Sequence, residues 1–351
     1  MATVAFAQSN DTGGSPDAES GGEKDGRNFV VVPIPSTDPT LGAGLVVGGA
    51  YFYPQTPEQK RSQPASATVV GTMYTDNGSY AYGIGQTIYW NEDTWRFSGA
   101  VAYAVMKLEL SAPGGPPDSV PSAAWLIEGG FAQIKLSRRI HDKWYLGVVG
   151  RYIDGEQTIE PLVDSPIFSL FGKLNSYGLG VELEYDTRDM PINSYNGHIF
   201  EAGILFNEQS TGRAEPYEAY SLAYRSYHEL TESLVLAWQV EGCMKTSSVP
   251  LWDACRIGLR GFSATDYLGK SSALGEVEAR WRLNKRWGLV GFAGAGILTE
   301  PFSRFREKEW IPSYGLGIRF AVLPSKRINL RLDYGFSTGS NAVHLSVGEA
   351  F

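Results

Sequence analysis

Tyr177-Gly-Leu-Gly-Val-Glu-Leu-Glu-Tyr-Asp186 alternates without a break. Tyr177, Leu179, Val181, Leu183 and Tyr185 fall on one side of an extended chain. Gly178, Gly180, Glu182, Glu184 and Asp186 fall on the other, because successive side chains of a strand point to opposite faces. A segment of about ten residues with one apolar and one wet, charged face suits a strand that crosses lipid around an aqueous lumen. Ala273 to Leu283 repeats the pattern, with Ala273, Val277, Ala279 and Trp281 outward and Glu276, Glu278, Arg280 and Arg282 inward. Ile328 to Phe336 sets Ile, Leu, Leu, Tyr and Phe against Asn329, Arg331, Asp333 and Gly335. Both signs of charge on the inner faces predict paired ions in the lumen, since neither sign is cheap to bury alone.

Extending this period in both directions predicts an all-β, transmembrane antiparallel β-barrel. The strands are 28–34, 41–53, 65–75, 79–90, 94–110, 122–136, 143–154, 172–186, 197–207, 216–228, 231–245, 272–283, 287–297, 311–322, 326–336 and 341–351. That is sixteen, with fourteen as the alternative because 28–34 is short. Outer connections 111–121, 155–171, 246–271 and 298–310 are long, and periplasmic turns 91–93, 229–230, 284–286 and 323–325 are short. The exception is 54–64, left as a long periplasmic turn. Trp90, Trp95, Trp144, Trp281 and Trp287 lie near the predicted periplasmic ends and suit an interfacial girdle.

Composition agrees. The 351 residues include 41 Gly and 19 Tyr, with 30 basic against 38 acidic side chains, a richness in Gly and Tyr that a soluble acidic protein rarely combines with so few charges. No run of 18 apolar residues exists, which excludes a helical span. No basic, aromatic-interleaved stretch points to nucleic acid. Met1 to Gln8, MATVAFAQ, reads as the end of a secretory signal peptide, and Ser9 to Arg27 as a disordered polar segment. The expected division is therefore 1–27 and a barrel of 28–351, in the bacterial outer membrane.

Export places Cys243 and Cys255 in an oxidising compartment, so a disulfide is expected; two cysteines alone do not make a four-ligand metal site. Leu259-Arg260-Gly261-Phe262 lies in the longest outer loop, 246–271. Gly261 permits a bend, and the guanidinium of Arg260 can reach a lumenal carboxylate, Glu276 or Glu278, folding the loop inward as a partial plug. His141, His198, His228 and His344 show no nucleophile-and-base arrangement in sequence, so no enzymatic activity, catalytic residue or cofactor is expected.

These features resemble the bacterial surface antigen D15 family, the Omp85 superfamily of outer-membrane assembly proteins, over about Phe29 to Phe351. The loop motif, an aliphatic residue before Arg-Gly-Phe or Arg-Gly-Tyr, matches Leu259 to Phe262. Tyr185 to Asp189 followed by Gly197 resembles the family's periplasmic turn, and Phe351 resembles the terminal aromatic by which assembly machinery recognises barrels. There are two departures. No periplasmic POTRA domain fits before residue 28, and Gly294 in Phe292-Ala-Gly-Ala-Gly296 replaces the family's Asp, leaving Glu276 or Glu278 to anchor Arg260. The resemblance implies a barrel that helps a protein or lipid enter or cross the outer membrane through a weak seam between its first and last strands. Its partners would be membrane lipid, lipopolysaccharide, the assembly machinery and a client; the alternative is a passive channel or structural barrel.

Overall fold

In the computed structural model every alternating segment is a strand. It describes residues 28–38, 40–111, 121–161, 170–191, 193–209, 215–246, 249–263, 265–301, 309–324, 327–338 and 340–351. The signal-peptide remnant and polar segment expected over 1–27 lie outside the described residues.

The strands are β1 Phe29–Asp38, β2 Gly42–Phe52, β3 Ala67–Thr75, β4 Tyr80–Trp90, β5 Trp95–Ser111, β6 Pro121–His141, β7 Trp144–Pro161, β8 Leu170–Asp186 and β9 Gly197–Gln209. They continue as β10 Tyr217–Thr231, β11 Leu234–Lys245, β12 Cys255–Arg256, β13 Leu268–Arg282, β14 Trp287–Pro301, β15 Ile311–Leu323, β16 Ile328–Ser337 and β17 Ser340–Val347. Each pairs antiparallel with its chain neighbour, β11 pairs directly with β13, and β1 meets β17, so sixteen strands close the wall. The two-residue β12 lies against β13 as part of the outer loop. Closure matters because a backbone edge in hydrocarbon has no water to satisfy it.

Side-chain exposure follows the alternation. Leu179 is 65 % exposed on the outer face of β8, whereas Glu184 on the inner face is 8 % exposed. Outward aromatics mark both rims, with Tyr74, Tyr80 and Tyr314 near the outer ends and a group of tryptophans near the periplasmic ends. Trp90 stacks on Trp95, and Trp144 meets Tyr185 and Phe200, as a girdle requires. Among the described residues no helix is long and apolar enough to cross a membrane, and this closed barrel is an outer-membrane fold.

Several expected boundaries shift, and β6 runs on to His141. The turn 54–64 contains a short helix, α1 Pro57–Ser62, started by a capping box between Thr56 and Gln59. The outer connections give ground to strand, because β7 runs on to Pro161, β13 already begins at Leu268 and β14 runs on to Pro301; residues 112–120, 162–169 and 302–308 of these connections lie outside the described residues. The last strand ends at Val347 rather than Phe351. Gly348, at φ +96°, turns the chain out of the strand, and the tail that follows is taken up by inward arginines. Arg319 Nε donates to Glu349 Oε2 at 2.7 Å, and Arg280 Nη2 to the Phe351 carbonyl at 2.8 Å.

Candidate functional site

The loop between β11 and β13 folds into the barrel. Its first part is clamped to the wall. Cys243 on β11 and Cys255 on β12 are joined by a disulfide, with Cα atoms 5.8 Å apart. Asp253 accepts from Arg151 of β7 (2.8 Å), pairs with Lys245 of β11 (2.9 Å) and accepts from the Tyr217 hydroxyl of β10 (2.5 Å). Burial alone would raise the Asp253 carboxyl, but Lys245 and Arg151 hold it down at about 2. Nothing in the sequence marked Asp253, because two of its three partners, Arg151 and Tyr217, come from strands remote in the chain.

The loop's second part fills the lumen. Ile257, Leu259, Phe262 and Tyr267 pack with Leu274, Leu298 and Ile311 of the wall into one buried cluster. Arg260, 6 % exposed, reaches Glu276 Oε1 (2.8 Å), Glu278 Oε2 (2.7 Å) and Asp333 Oδ2 (3.2 Å), and its guanidinium carbon lies 3.5 Å from the centre of the Phe292 ring. The two sequence candidates for its partner thus both contact it, joined by Asp333 on β16. That third residue had been visible only as one inward position in Ile328 to Phe336.

Two glycines permit this approach. Gly261 has φ +101°, and a Cβ on Gly335 of β16 would lie 2.7 Å from the Gly261 nitrogen, so loop and wall meet backbone to backbone. Gly294 stands where the resemblance expects Asp. A Cβ there would fall 2.5 Å from the Gly275 carbonyl, and Glu276 on the neighbouring strand supplies a carboxylate to the same guanidinium. The Gly261 N–H faces His344 Nε2 at 3.4 Å, and the Ser313 hydroxyl donates to the Arg260 carbonyl.

The charges continue past the loop. Asp333 also accepts from Arg319, Arg319 holds Glu349 of the tail, and Glu278 holds Arg280, which binds the Phe351 carbonyl. A second lumenal group joins Glu182, Glu184 and Glu201 to Lys135, Arg96 and Arg225. Carboxylates of that group converge, but three cations already sit on them. Ser226 Oγ lies 3.0 Å from His228 Nε2, and no carboxylate orients that imidazole among the described residues.

The seam is weak by construction. β1 pairs with β2 along ten residues and with β17 at one, Thr37 opposite Leu345. The Phe52 N–H donates to the Asn28 carbonyl, so even-numbered residues of β1 bond to β2 and odd-numbered ones face the seam. Pro33 and Pro35 are odd-numbered, and proline has no N–H, so two donors are missing from the seam edge covalently. Strand length also falls toward the seam, from 21 residues in β6 to 8 in β17.

Comparison with known proteins agrees with this geometry. A family model described as the Omp85 superfamily domain matches residues 80–351. Among solved structures, BamA from Haemophilus ducreyi lacking POTRA domains 1–3 superposes with TM-score 0.60 at 11 % identity, covering 92 % of this chain and 70 % of that one. CdiB from Acinetobacter baumannii gives 0.57 at 13 % identity, covering 91 % and 59 %. CdiB from Escherichia coli gives 0.55 at 12 %, covering 91 % and 62 %. The chain thus spans about three fifths of the length of either CdiB. No curated protein matches it in sequence.

Proposed function

The chain belongs to the Omp85 superfamily, and from that premise we propose that it is an assembly or translocation barrel, helping a protein or lipid to enter or cross the outer membrane at its β1–β17 seam. The observation that carries the reading is the single residue pair closing that seam, beside an edge with two prolines. A barrel whose only task is to hold its shape gains from a fully bonded closure. Here the strands best able to part, of 10 and 8 residues, are among the shorter ones of the wall, so the bilayer beside them thins to match. The loop held in the lumen by Arg260, with Leu259, Gly261 and Phe262 around it, speaks against an open passive pore. Its partners in this reading are outer-membrane lipid, lipopolysaccharide on the outer face and an unfolded client. Phe351, turned inward beside Arg280, serves its own recognition by the assembly machinery before folding is complete.

Proteoliposomes holding the purified protein are the test. The protein is expected to speed the folding of an urea-unfolded outer-membrane barrel supplied from outside the vesicle. Thr37→Cys/Leu345→Cys, oxidised to staple the seam, is expected to abolish the acceleration, and reduction to restore it. No acceleration by the wild type, or equal acceleration by the stapled form, overturns the proposal.

A further inference from the structure

The β8–β9 turn does not stay on its own side of the periplasmic mouth. It is described over 187–191 and 193–196, and Gly197 at its base, with φ +95°, bends it off the line of the wall. Its tip meets Arg327, in the turn between β15 and β16. Asp189 Oδ2 pairs with Arg327 Nη1 at 2.6 Å, and the Asn193 amide donates to the Arg327 carbonyl at 3.2 Å. The Arg327 guanidinium carbon lies 3.7 Å from the centre of the Tyr195 ring. Four wall strands, β10, β11, β13 and β14, stand between β9 and β15. With neighbouring strands about 4.8 Å apart, that is about 24 Å of wall, so the turn crosses the mouth as a chord. On the way the Asn196 amide donates to Glu229 of β10 (3.3 Å), Arg282 of β13 lies 4.0 Å from the Tyr195 ring, and Asn193 accepts from Arg280 at 3.5 Å. Met190 (6 % exposed), Asn193 (3 %) and Ser194 (1 %) are buried there.

Two sets of bonds hold this turn, and they separate cleanly. One set lies within it. Arg188 donates to Asp186 (3.0 Å) and to the Pro191 carbonyl (3.1 Å), Asp189 Oδ1 accepts from the N–H groups of Tyr195 and Asn196, and the Ser194 hydroxyl donates to the Met190 carbonyl. These bonds travel with the turn, so it is a preformed unit. The other set joins it to the far wall and centres on Arg327. An exposed ion pair and cation–π contacts are each weak. They can part without unfolding β8 and β9, whose own pairing begins at Asp186 opposite Ile199. We propose that the β8–β9 turn is a gate across the periplasmic end of the lumen, latched by Arg327, and that it swings aside before a polypeptide or solute passes between periplasm and lumen. The gate rests on the geometry of the mouth and does not depend on the seam opening.

The test uses the whole purified barrel in detergent. Gln133 is an exposed residue on the inner face of β6, two positions from Lys135 of the lumenal ion group. The chain's two cysteines are joined to each other, so Gln133→Cys supplies a single thiol. A maleimide carrying a polyethylene-glycol chain should label it slowly while both ends of the lumen are closed. Arg327→Gly removes the latch at a φ of +50°, which glycine adopts freely. Tyr195→Ala removes both ring contacts and leaves the β15–β16 turn untouched. Each should speed labelling about tenfold, as the loss of an ion pair with a ring contact, or of two ring contacts, implies. Lys285→Gln, on the same rim and without a bond to the turn among the described residues, should leave the rate unchanged. Heat-modifiable mobility shows that each wall is folded, and chymotrypsin resistance at Phe262 and Tyr267 shows that the outer loop is still seated. Should Arg327→Gly not fold, Tyr195→Ala alone decides. Labelling of the folded variants at the wild-type rate overturns the gate. Faster labelling accompanied by faster loop cleavage places the opening at the outer end and overturns it as well, as does an equal rise in Lys285→Gln.

Discussion

Arg260→Ala is expected to release the tip of the outer loop while leaving the wall folded. Three carboxylates surround this guanidinium, but its removal does not strand them equally. Glu278 keeps Arg280 at 2.5 Å, and Asp333 keeps Arg319. Glu276 is left with the Gln239 amide at 3.2 Å and no cation. Breaking one side of a buried pair costs about 3–5 kcal/mol. Taking up a proton caps that loss: at pH 7 it costs a glutamate of ordinary pKa about 3.7 kcal/mol, and at pH 5.5 about 1.6 kcal/mol. Losing the contact with Phe292 adds about 1–2 kcal/mol. The expected local destabilisation is therefore about 5 kcal/mol at pH 7 and about 3 kcal/mol at pH 5.5. Chymotrypsin on isolated outer membranes reads it directly, because Phe262 and Tyr267 are 4 % and 3 % exposed and protected while the tip is seated. A cut at either residue separates fragments that the Cys243–Cys255 disulfide does not tie together, since both cysteines precede it. Arg260→Ala should be cleaved fast at pH 7 and more slowly at pH 5.5. Arg260→Lys should fall between, lacking the planar fork that reaches several acceptors at once. Adding Glu276→Gln to Arg260→Ala should restore part of the protection. If wild type and Arg260→Ala are cut alike at pH 7, or Glu276→Gln gives no relief, the anchoring argument is wrong.

Gly335→Ala should displace the same tip by overpacking, at about 1–3 kcal/mol, because its Cβ would lie 2.7 Å from the Gly261 nitrogen; chymotrypsin sensitivity with unchanged heat-modifiable mobility checks it. Asp253, held at about 2, contributes stability that is present above about pH 4 and lost as pH falls through 2. Pepsin should therefore cut the loop progressively between pH 4 and pH 2, and in Asp253→Asn that step should disappear. Pro33→Thr/Pro35→Thr restores two seam donors and should raise the temperature at which heat converts the folded gel band to the unfolded one; an unchanged temperature would refute the reading of that edge. Cys243→Ser should leave the barrel folded but make loop cleavage faster, since the clamp on β12 then rests on two backbone pairings and Asp253.

The wall was legible because its physics is local. A strand between lipid and a wet lumen must alternate along its own length, and Tyr177 to Asp186, Ala273 to Leu283 and Ile328 to Phe336 each carry that rule whole. Turn lengths then gave direction and count. What lay beyond the sequence is what the curvature of the wall brings together. Asp333 and Glu276 are 57 positions apart and share one guanidinium only because β13 and β16 stand close around the same lumen. Asp253 depends on Arg151 in the same way. The tail misled for a different reason. Asn341 to Phe351 was read as strand through Gly348, Glu349 and Ala350, and period two cannot report that Glu349 has a buried arginine to reach or that Gly348 lets the chain turn toward it.

The loop tip and the seam are chemically one structure. Asp333 lies between Arg260 of the loop and Arg319 of β15, and Arg319 carries Glu349 of the tail that leaves β17. On the other side Glu278 lies between Arg260 and Arg280, and Arg280 carries the Phe351 carbonyl. Each carboxylate thus meets one cation that holds the plug and one that holds the tail, and Asp333 has Arg331 beside it as well at 3.6 Å. Arg260, Glu278, Arg280, Arg319 and Asp333 are all buried, so each contact among them is strengthened by a low local dielectric. Withdrawing the tail leaves Arg319 and Arg280 to bind Asp333 and Glu278 more fully, at the expense of Arg260. Withdrawing the tip does the reverse. A charge shared in this way favours one set of contacts as the other weakens.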